Sequence, residues 1–343
     1  KTPVKRTHTE MYYPILVEYL NNLRRLLDEL RPITEKVANG DRDAPIFVLV
    51  CNWGQAVLFH NFVCNARAKG LDTSRLLIFA TDEKTQQMSE SLGITSFYDE
   101  GIFGDMPEQA ANAYGDRVFT KMMMAKVYCV HLISSLGYNL VFQDVDVVWY
   151  KNPVDYFTDD SNVKEWDMMF QDDGAHSVRY SPYSPNTGFY YVKNNEKTEF
   201  FFSELLRAGD VIAATSSHQA ALTALLNEHA SWKGLRVKTW NRGVTNPFPG
   251  GFEYHRQKDI MKSIFNENAV VDPYIFHMSW TKNKDNKKLY FEQMGEWYTK
   301  PNCLTGFDCC LAEPAIVCHY RDKPSKIPCK DSPPIDKGRP SFW

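Results

Sequence analysis

The spacing of apolar positions changes near residue 40 of the chain. Residues 11–38 carry leucines at 16, 20, 23, 27 and 30, which predicts an amphipathic helix. From residue 45 onward, short runs that are apolar throughout alternate with helical segments. Strands are predicted at 45–51, 75–80, 94–98 and 139–143, and helices at 55–69, 83–92 and 117–135. This alternation indicates an α/β fold with a parallel sheet covered on both faces.

Two acids stand at the end of the fourth predicted strand. Asp144 and Asp146 lie between the apolar runs 138–142 and 147–149. Side chains at i and i+2 of an extended segment share a face, so both carboxylates are expected at the carboxyl end of this strand, where open α/β sheets bind ligands. The pair is either solvated at a strand end or neutralised by a divalent cation such as Mg²⁺ or Mn²⁺.

Composition excludes some partners and leaves small molecules open. The 343 residues carry a formal net charge of -3, and no Lys/Arg stripe of the kind that follows phosphates occurs, so nucleic acid is not an expected partner. No G-x-G-x-x-G follows the first predicted strand and no G-x-x-x-x-G-K-[ST] occurs. A nucleotide would therefore have to be held in another way.

Cysteines crowd the end of the chain. Five of the eight lie at 303, 309, 310, 318 and 329, without the repeated short spacing that zinc prefers. We expect disulfides in an oxidising compartment, with at least one of the five free or paired outside the tail. The first residues contain no apolar segment that could span a bilayer, so we expect a soluble, trimmed chain whose link to a membrane, if any, was a removed N-terminal anchor.

Several motifs in order resemble one enzyme family. They are Phe142–Trp149 with its D-x-D, Phe170–Asp173, Asn186–Tyr191, His218–Gln219 and His277–Trp280. Over about residues 44–300 the chain resembles the nucleotide-diphospho-sugar transferases that include plant cell-wall arabinosyl- and xylosyltransferases. The resemblance implies a GT-A type fold, with a Rossmann-like, mostly parallel central sheet and flanking helices. The cysteines add a disulfide-linked C-terminal tail.

The resemblance also implies chemistry and partners. It implies a retaining glycosyltransferase that uses a nucleotide-sugar donor, with uridine as the expected base, and a carbohydrate or glycoprotein acceptor. The metal ligands would be Asp144, Asp146 and His277, with Asp144 also near the ribose. An imidazole beside two carboxylates favours Mn²⁺ over Mg²⁺. Without the D-x-D, His277 would read as a core histidine. The implied location is the Golgi or secretory lumen, with a type II membrane topology for a full-length protein.

Further candidates bind the donor or act in catalysis, and each has an ordinary structural alternative. Asp172 and Asp173 are either turn residues or recognise donor hydroxyls and stabilise an oxocarbenium-like transition state. Gln219 would face the donor sugar. Many family members carry an acid where His218 stands, which favours a front-face mechanism without a covalent intermediate. The donor-binding candidates are Asn52, Trp53, Lys121, Asp144, Asn186, Thr187, Gly188, Lys282 and Lys284.

The reasons for the donor-binding candidates differ. Trp53, after the first strand, could stack on a base, and Lys121 could reach the phosphates. Residues 186–188 form a predicted polar elbow before a strand at 189–192. Lys282 and Lys284 are selected from the cluster 282–288 to neutralise the leaving diphosphate. Residues 249–252 are a flexible segment expected on the acceptor side.

The predicted domains are a helical stem or cap at 1–43, a GT-A domain at 44–300 and a cysteine-rich tail at 301–343 packed on it. Two rival functions stay open. One is a non-catalytic carbohydrate-binding scaffold on a transferase fold. The other is a haloacid-dehalogenase-type phosphatase, whose opening motif also follows a strand. We also expect that removing Asp146 relieves repulsion and leaves the metal-free stability level or raised.

Overall fold

The structure is a computed structural model that describes residues 3–104, 106–110, 117–174, 178, 180–264, 271–317, 335–336 and 339–340. The helices, in chain order, are α1 (Arg6–Ala38), α2 (Ala56–Ala68), α3 (Glu83–Ser91), α4 (Glu100–Phe103), α5 (Arg117–Ser135), α6 (Val154–Thr158), α7 (Asp160–Val163), α8 (Glu196–Arg207), α9 (Gly209–Thr215), α10 (His218–Trp232), α11 (Gly251–Arg256), α12 (Lys258–Ile264) and α13 (Lys284–Met294).

The strands are β1 (Ile46–Cys51), β2 (Leu76–Ala80), β3 (Thr95–Phe97), β4 (Leu140–Gln143), β5 (Val147–Trp149), β6 (Met168–Asp172), β7 (Pro185–Val192), β8 (Val237–Thr239), β9 (Ile275–His277), β10 (Trp297–Thr299), β11 (Cys310–Ala315), β12 (Ile335–Asp336) and β13 (Arg339–Pro340). Short 3-10 helices span Trp53–Gln55 and Phe307–Cys309.

The chain divides into two compact units. The first unit consists of Lys1–Gly54, Ser74–Asp144 and Val154–Thr239, and the second of Gln55–Thr73, Val145–Pro153 and Trp240–Trp343. The domain boundaries expected from the sequence stay a prediction. Within the described residues, no helix has both the length and the apolar composition needed to cross a bilayer.

The first unit is built on a seven-stranded sheet of order β3-β2-β1-β4-β7-β6-β8. The four strands predicted from the sequence form its parallel half, and β7 runs antiparallel to both β4 and β6. Strands β1 and β2 are apolar and buried along their whole length, as expected where helices cover both faces of a parallel sheet, whereas the edge strand β3 is partly polar. The prediction of an α/β fold with a mostly parallel central sheet is therefore confirmed.

Helix α1 buries one face in the core of the first unit. Its buried positions include Tyr12, Tyr19, Leu26, Leu30 and Val37, which recur every four or seven residues. This spacing places them on one side of a helix. The helix begins at residue 6, five residues before the predicted start, and ends at the predicted residue 38.

The predicted polar elbow at 186–188 is wrong. These residues belong to β7, where Asn186 lies opposite Gln171 and the pairing with β6 shifts in register after Phe170. The small polar residues thus lie in the strand at a point where its regular pairing is interrupted.

Polar side chains of α2 organise the second unit. Asn65 donates to the Glu296 carboxylate at 2.6 Å and accepts from the Trp149 N–H at 3.3 Å. Lys69 donates to the same carboxylate at 2.6 Å and to the Trp149 carbonyl at 2.9 Å. Because the buried groups satisfy one another, α2 fixes both β5 and the start of β10.

Two disulfides close the second unit. Cys303 pairs with Cys309, and Cys310 pairs with Cys64 of α2 across 246 residues of sequence. The predicted tail disulfides, including a partner outside the tail, are confirmed. Cys318 and Cys329 lie outside the described residues.

Candidate active site

The D-x-D motif lies where the chain passes from the first unit to the second. Strand β4 ends at Gln143, Asp144 is assigned to the first unit, and Asp146 to the second, just before β5. Strand β5 pairs antiparallel with β9, so that Val147 lies opposite His277. This register brings Asp146 close to His277, because Asp146 directly precedes the residue that is paired with His277.

Both carboxylate oxygens of Asp146 have partners in the second unit. Oδ1 lies 3.5 Å from His277 Nε2, and Oδ2 accepts a hydrogen bond from Lys287 Nζ at 2.6 Å. The side chains of Asp146 and His277 are 4% and 3% exposed. The backbone N–H of Met278 also donates to the Asp146 carbonyl at 2.8 Å. The two residues are thus close enough to share a cation, and their role as metal ligands stays a prediction.

Burial and charge act in opposite directions on Asp146. Removal from water alone would raise the pKa of its carboxyl group, but the Lys287 ammonium and the His277 ring outweigh burial and hold that pKa well below its usual range. Asp146 is therefore a carboxylate at neutral pH even though it is buried. An ionised, buried oxygen donor is what a divalent cation requires.

Asp144 has different surroundings in the first unit. Its carboxylate forms an ion pair with Lys126 of α5, and its side chain is 25% exposed. Its backbone N–H donates to the Gly188 carbonyl of β7 at 2.7 Å. Within its own unit, each acid of the motif therefore has a lysine partner, and binding of a divalent cation by the pair stays a prediction.

Five predicted site residues of the first unit form one hydrogen-bonded group. Asn186 donates to Asp173 at 3.0 Å and accepts from the Gly188 N–H at 2.7 Å. Both the N–H and the hydroxyl of Thr187 lie 3.2 Å from the side-chain oxygen of Gln219, to which they donate. These hydrogen bonds hold the start of β7 against the end of β6 and the start of α10. Their roles toward a ligand stay a prediction.

Asp172 is the last residue of β6 and contacts the turn that follows it, as the ordinary alternative predicted. Its carboxylate accepts from the Gly174 N–H at 2.6 Å, two residues along the chain, and Gly174 has φ +78°. Asp173, by contrast, supplies its side chain to Asn186 and its N–H to the Ser184 carbonyl. Asp172 thus shapes the turn, and any contact of either acid with a donor sugar stays a prediction.

His218 is buried at the start of α10. Its Nδ1 lies 2.8 Å from the Met123 sulfur, and burial, together with the Lys126 charge, moves the pKa of the ring well below its ordinary value. The ring is therefore neutral at physiological pH. The expectation that no protein nucleophile acts at this position stays a prediction.

The candidates near the start of the chain lie in the first unit. The Asn52 amide donates to the carbonyls of Pro107 and Gln109 at 2.7 and 2.9 Å, and the Trp53 N–H donates to Asp82 at 2.7 Å. These bonds hold the loop after β1. Lys121 is half-buried on α5. Donor binding by Asn52, Trp53 and Lys121 stays a prediction.

Sequence reasoning missed the two lysines that contact the motif. Lys287 belongs to the basic cluster 282–288, but the sequence analysis takes Lys282 and Lys284 from that cluster as the candidates that neutralise the diphosphate. Lys282 is exposed and Lys284 is half-buried at the start of α13. Asn283 caps this helix by accepting from the Asn286 N–H at 2.9 Å. The cap was a usable signal, because it starts the helix at 284 and places 287 one turn later, on the side of residue 284.

The donor set of the second unit fits a divalent cation. It offers one carboxylate and one imidazole, both buried. The Lys287 ammonium contacts one oxygen of the carboxylate, as a metal cation would. Carboxylate oxygen with imidazole nitrogen suits Mn²⁺ as well as or better than Mg²⁺, which takes oxygen almost alone.

Comparison with known proteins identifies the class. A family profile described as nucleotide-diphospho-sugar transferase matches residues 72–291, which is more than half of the chain. The chain therefore belongs to the nucleotide-diphospho-sugar transferase family, as the motifs predicted. This membership and the mixed sheet confirm the GT-A type fold, and they remove the basis for the phosphatase alternative.

Two curated relatives are glycosyltransferases. The UDP-galactose:fucoside alpha-3-galactosyltransferase of Dictyostelium discoideum is 22% identical over 285 residues, covering 73% of this chain and 42% of the relative. The Beta-arabinofuranosyltransferase RAY1 of Arabidopsis thaliana is 24% identical over 184 residues, covering 50% of this chain and 30% of the relative. The chain thus spans less than half the length of these relatives.

Solved structures give a weaker likeness. The glycosyltransferase GlyE of Streptococcus pneumoniae TIGR4 has a TM-score of 0.41 at 12% identity and covers 69% of this chain and 56% of that one. Mouse xyloside xylosyltransferase 1 has a TM-score of 0.41 at 11% identity, and the match covers 69% of this chain and 98% of that one. Likeness at this level supports no functional conclusion.

Proposed function

We propose that the protein is a metal-dependent, retaining glycosyltransferase that moves a sugar from a UDP-sugar to a glycan or glycoprotein acceptor. The observation that carries this proposal is the buried Asp146 carboxylate with His277 at 3.5 Å and Lys287 at 2.6 Å. The Lys287 ammonium already balances the charge of this buried carboxylate. A divalent cation could take the place of the ammonium on Asp146 and also bind the diphosphate of the donor.

Asp144, Asp146 and His277 would hold the cation, since Asp144 stands two residues from Asp146 in the chain. Bound Mn²⁺, or Mg²⁺ in its place, would supply electrostatic stabilisation of the departing diphosphate. Lys282 and Lys284 would add positive charge to the same phosphates. Asn52 and Trp53 would hold the nucleoside, and Lys121 the phosphates.

Asp172, Asp173 and Gln219 would orient the donor sugar, with Asn186, Thr187 and Gly188 allowing close approach. The Gln219 oxygen accepts from Thr187, so its amide is fixed in place rather than free to rotate. The same bonds support a positioning role for Gln219. Together with the neutral His218, they favour a front-face transfer that retains the anomeric configuration.

The expected location is the Golgi or another part of the secretory lumen. Two disulfides in the second unit support an oxidising compartment. One relative is named for a UDP-galactose donor and a fucoside acceptor, and the other for arabinofuranosyl transfer. These names support a saccharide acceptor and suggest hexose and pentose donors for testing.

The test is a screen of nucleotide sugars for hydrolysis. Purified protein is incubated with UDP-galactose, UDP-xylose, UDP-arabinofuranose and UDP-glucose, with Mn²⁺ or with EDTA, and released UDP is measured. We expect release from at least one donor that depends on Mn²⁺. Anomeric NMR of the first transfer product then checks retention. Saturable sugar binding without any UDP release would favour the scaffold alternative instead.

A further inference from the structure

Trp280 adopts a backbone conformation that is unusual for its residue type. It lies three residues after His277, has φ +60° and is 42% exposed. A bulky residue in the left-handed region is a genuine outlier, and such outliers are kept where the surrounding structure imposes them, often at ligand sites. The conformation presents a large ring beside the segment that carries a predicted metal ligand.

Neighbouring side chains of the second unit fix the ring. Phe252 packs against Trp280 edge to face, with centroids 5.4 Å apart and planes at 79°. The Arg242 guanidinium lies over the Phe252 ring at 4.5 Å. Trp280, Phe252 and Arg242 thus form a small cluster, which we call the Trp280 shelf, that combines aromatic faces with a forked donor.

The backbone beneath the shelf is equally constrained. The Ser279 N–H donates to the His277 carbonyl at 2.8 Å, and the Gly251 N–H donates to the Ser279 hydroxyl at 3.1 Å. A Cβ at residue 251 would come within 1.7 Å of the Ser279 carbonyl oxygen, so only glycine allows this approach. The start of α11 and the segment 277–280 are therefore locked together, and the orientation of Trp280 is built into the fold.

We propose that the Trp280 shelf binds the sugar ring of the acceptor. This proposal rests on the proposed function. Sugar rings present C–H faces that pack on an indole, and their hydroxyl groups accept hydrogen bonds from a guanidinium, so the cluster offers both kinds of contact that a saccharide uses. The proposed function has the nucleoside at Asn52 and Trp53, so it does not require Trp280 to bind the base.

The first test measures binding rather than turnover. The protein is labelled with 5-fluorotryptophan, the Trp280 resonance is assigned from Trp280→Phe, and spectra are recorded with saturating UDP and Mn²⁺. The probes are methyl β-galactopyranoside, methyl α-fucopyranoside, methyl β-xylopyranoside and methyl α-arabinofuranoside. We expect a saturable shift of the Trp280 resonance with at least one probe. Trp232 is the internal control, since it is 82% exposed and belongs to the first unit.

The second test is kinetic and uses the glycoside that shifts the resonance as acceptor. We expect Trp280→Ala to raise the acceptor KM by roughly three- to tenfold, the range of a single aromatic contact. Trp280→Phe should recover most of this loss, whereas Trp232→Ala should change nothing. A purely structural role would lower kcat and melting temperature in both Trp280 variants without selectively raising the acceptor KM.

Three results overturn the proposal. They are no shift with any probe while the wild type hydrolyses a donor, an equal shift of Trp232, or a rise in donor KM as large as the rise in acceptor KM. Absence of donor hydrolysis by the wild type would overturn the proposed function instead. The fluorine spectra would still decide whether the shelf binds a sugar, so the two failures are distinguishable.

Discussion

The two carboxylates of one motif have contrasting surroundings in the two units. Asp144 in the first unit is 25% exposed and is paired with Lys126, whereas Asp146 in the second unit is 4% exposed and has Lys287 on one oxygen and His277 near the other. Water can screen and replace the partner of Asp144. The buried Asp146 has no such substitute, because an uncompensated charge there would be costly.

The difference in burial indicates that Asp146 depends more than Asp144 on a fixed positive partner. A buried carboxylate that stays ionised is preorganised for a cation, whereas a partly exposed one can adapt to several ligands. We therefore expect variants in the second unit to have larger effects than the corresponding variants in the first unit.

The largest effect is expected on turnover. Asp146→Ala should lower Mn²⁺-dependent donor hydrolysis by about a hundredfold or more, because loss of a ligand removes several kcal/mol of stabilisation of the departing diphosphate. Asp144→Ala should lower it less. The measurement is UDP release at saturating donor, with circular dichroism confirming that both variants are folded.

Asp159→Ala is a suitable control for this pair. Asp159 caps α7 by accepting from the Ser161 N–H at 2.9 Å and lies in the first unit. Equal losses in Asp144→Ala and Asp146→Ala would mean that burial does not separate the two acids. Wild-type turnover in Asp146→Ala would mean that this carboxylate takes no part in catalysis.

The next effect concerns the lysine partners and folding stability. Without metal, Lys287→Met should lower the free energy of unfolding by about 3 kcal/mol, because it breaks a buried ion pair and leaves Asp146 under-compensated. Lys126→Met should cost less, since Asp144 retains contact with solvent. Urea unfolding of both variants gives the two values.

Addition of Mn²⁺ sharpens the comparison of the lysines. A cation bound at Asp146 replaces the missing ammonium, so Mn²⁺ with UDP should stabilise Lys287→Met more than it stabilises the wild type. Equal stabilisation of both proteins would indicate that the cation does not bind where Lys287 does.

A third effect is acid sensitivity within the first unit. His131 is buried, its ring is hydrogen-bonded with the Tyr19 hydroxyl at 2.8 Å, and burial lowers its pKa to about 4. Between pH 6.5 and 4 the unfolded chain binds the proton that the folded chain excludes. Stability should therefore fall as pH falls through this window, by about 3 kcal/mol in total from this residue.

The matched variant is His131→Gln, which keeps a polar side chain and removes the titration. Urea unfolding of wild type and variant at pH 7.0, 5.5 and 4.5 should show a smaller pH dependence in the variant. Parallel curves for the two proteins would show that His131 is protonated in the folded state as readily as in the unfolded chain.

The smallest effect is expected for an exposed pair. Lys84 and Glu108 lie 2.7 Å apart in the first unit, and both side chains are more than half exposed. Solvent screening leaves such pairs with little net value. Lys84→Met should therefore be indistinguishable from the wild type in urea unfolding, and a clear loss of stability there would show that burial is not what ranks these pairs.

Part of the first unit was predictable because β1 and β2 are apolar along their whole length. The strands at 46–51 and 76–80 differ from their predicted bounds by one residue at one end, since apolar runs between polar turns leave little choice of register. The motif residues 144 and 146 also stood out, because acids after a buried strand break the pattern. Such signals are local in sequence.

Partners that are distant in sequence could not be predicted. Lys287 is 141 residues from Asp146, and nothing local indicates that the two meet. This pairing also changes one expectation. The sequence predicts that removing Asp146 relieves repulsion and leaves the metal-free stability level or raised. In the structure, its removal would leave the Lys287 ammonium without this carboxylate. We therefore expect Asp146→Ala to be less stable than the wild type without metal.

The most direct test is a calorimetric titration of Mn²⁺ into the protein in the presence of UDP. We expect saturable binding of Mn²⁺ to the wild type and binding weakened about tenfold or more in Asp146→Asn and in His277→Gln. Loss of a residue that only supports a metal ligand already weakens metal binding by this much, and Asp146 and His277 are proposed to be ligands themselves. Variants that are folded and bind Mn²⁺ with wild-type affinity, or a wild type that binds none, would contradict this expectation.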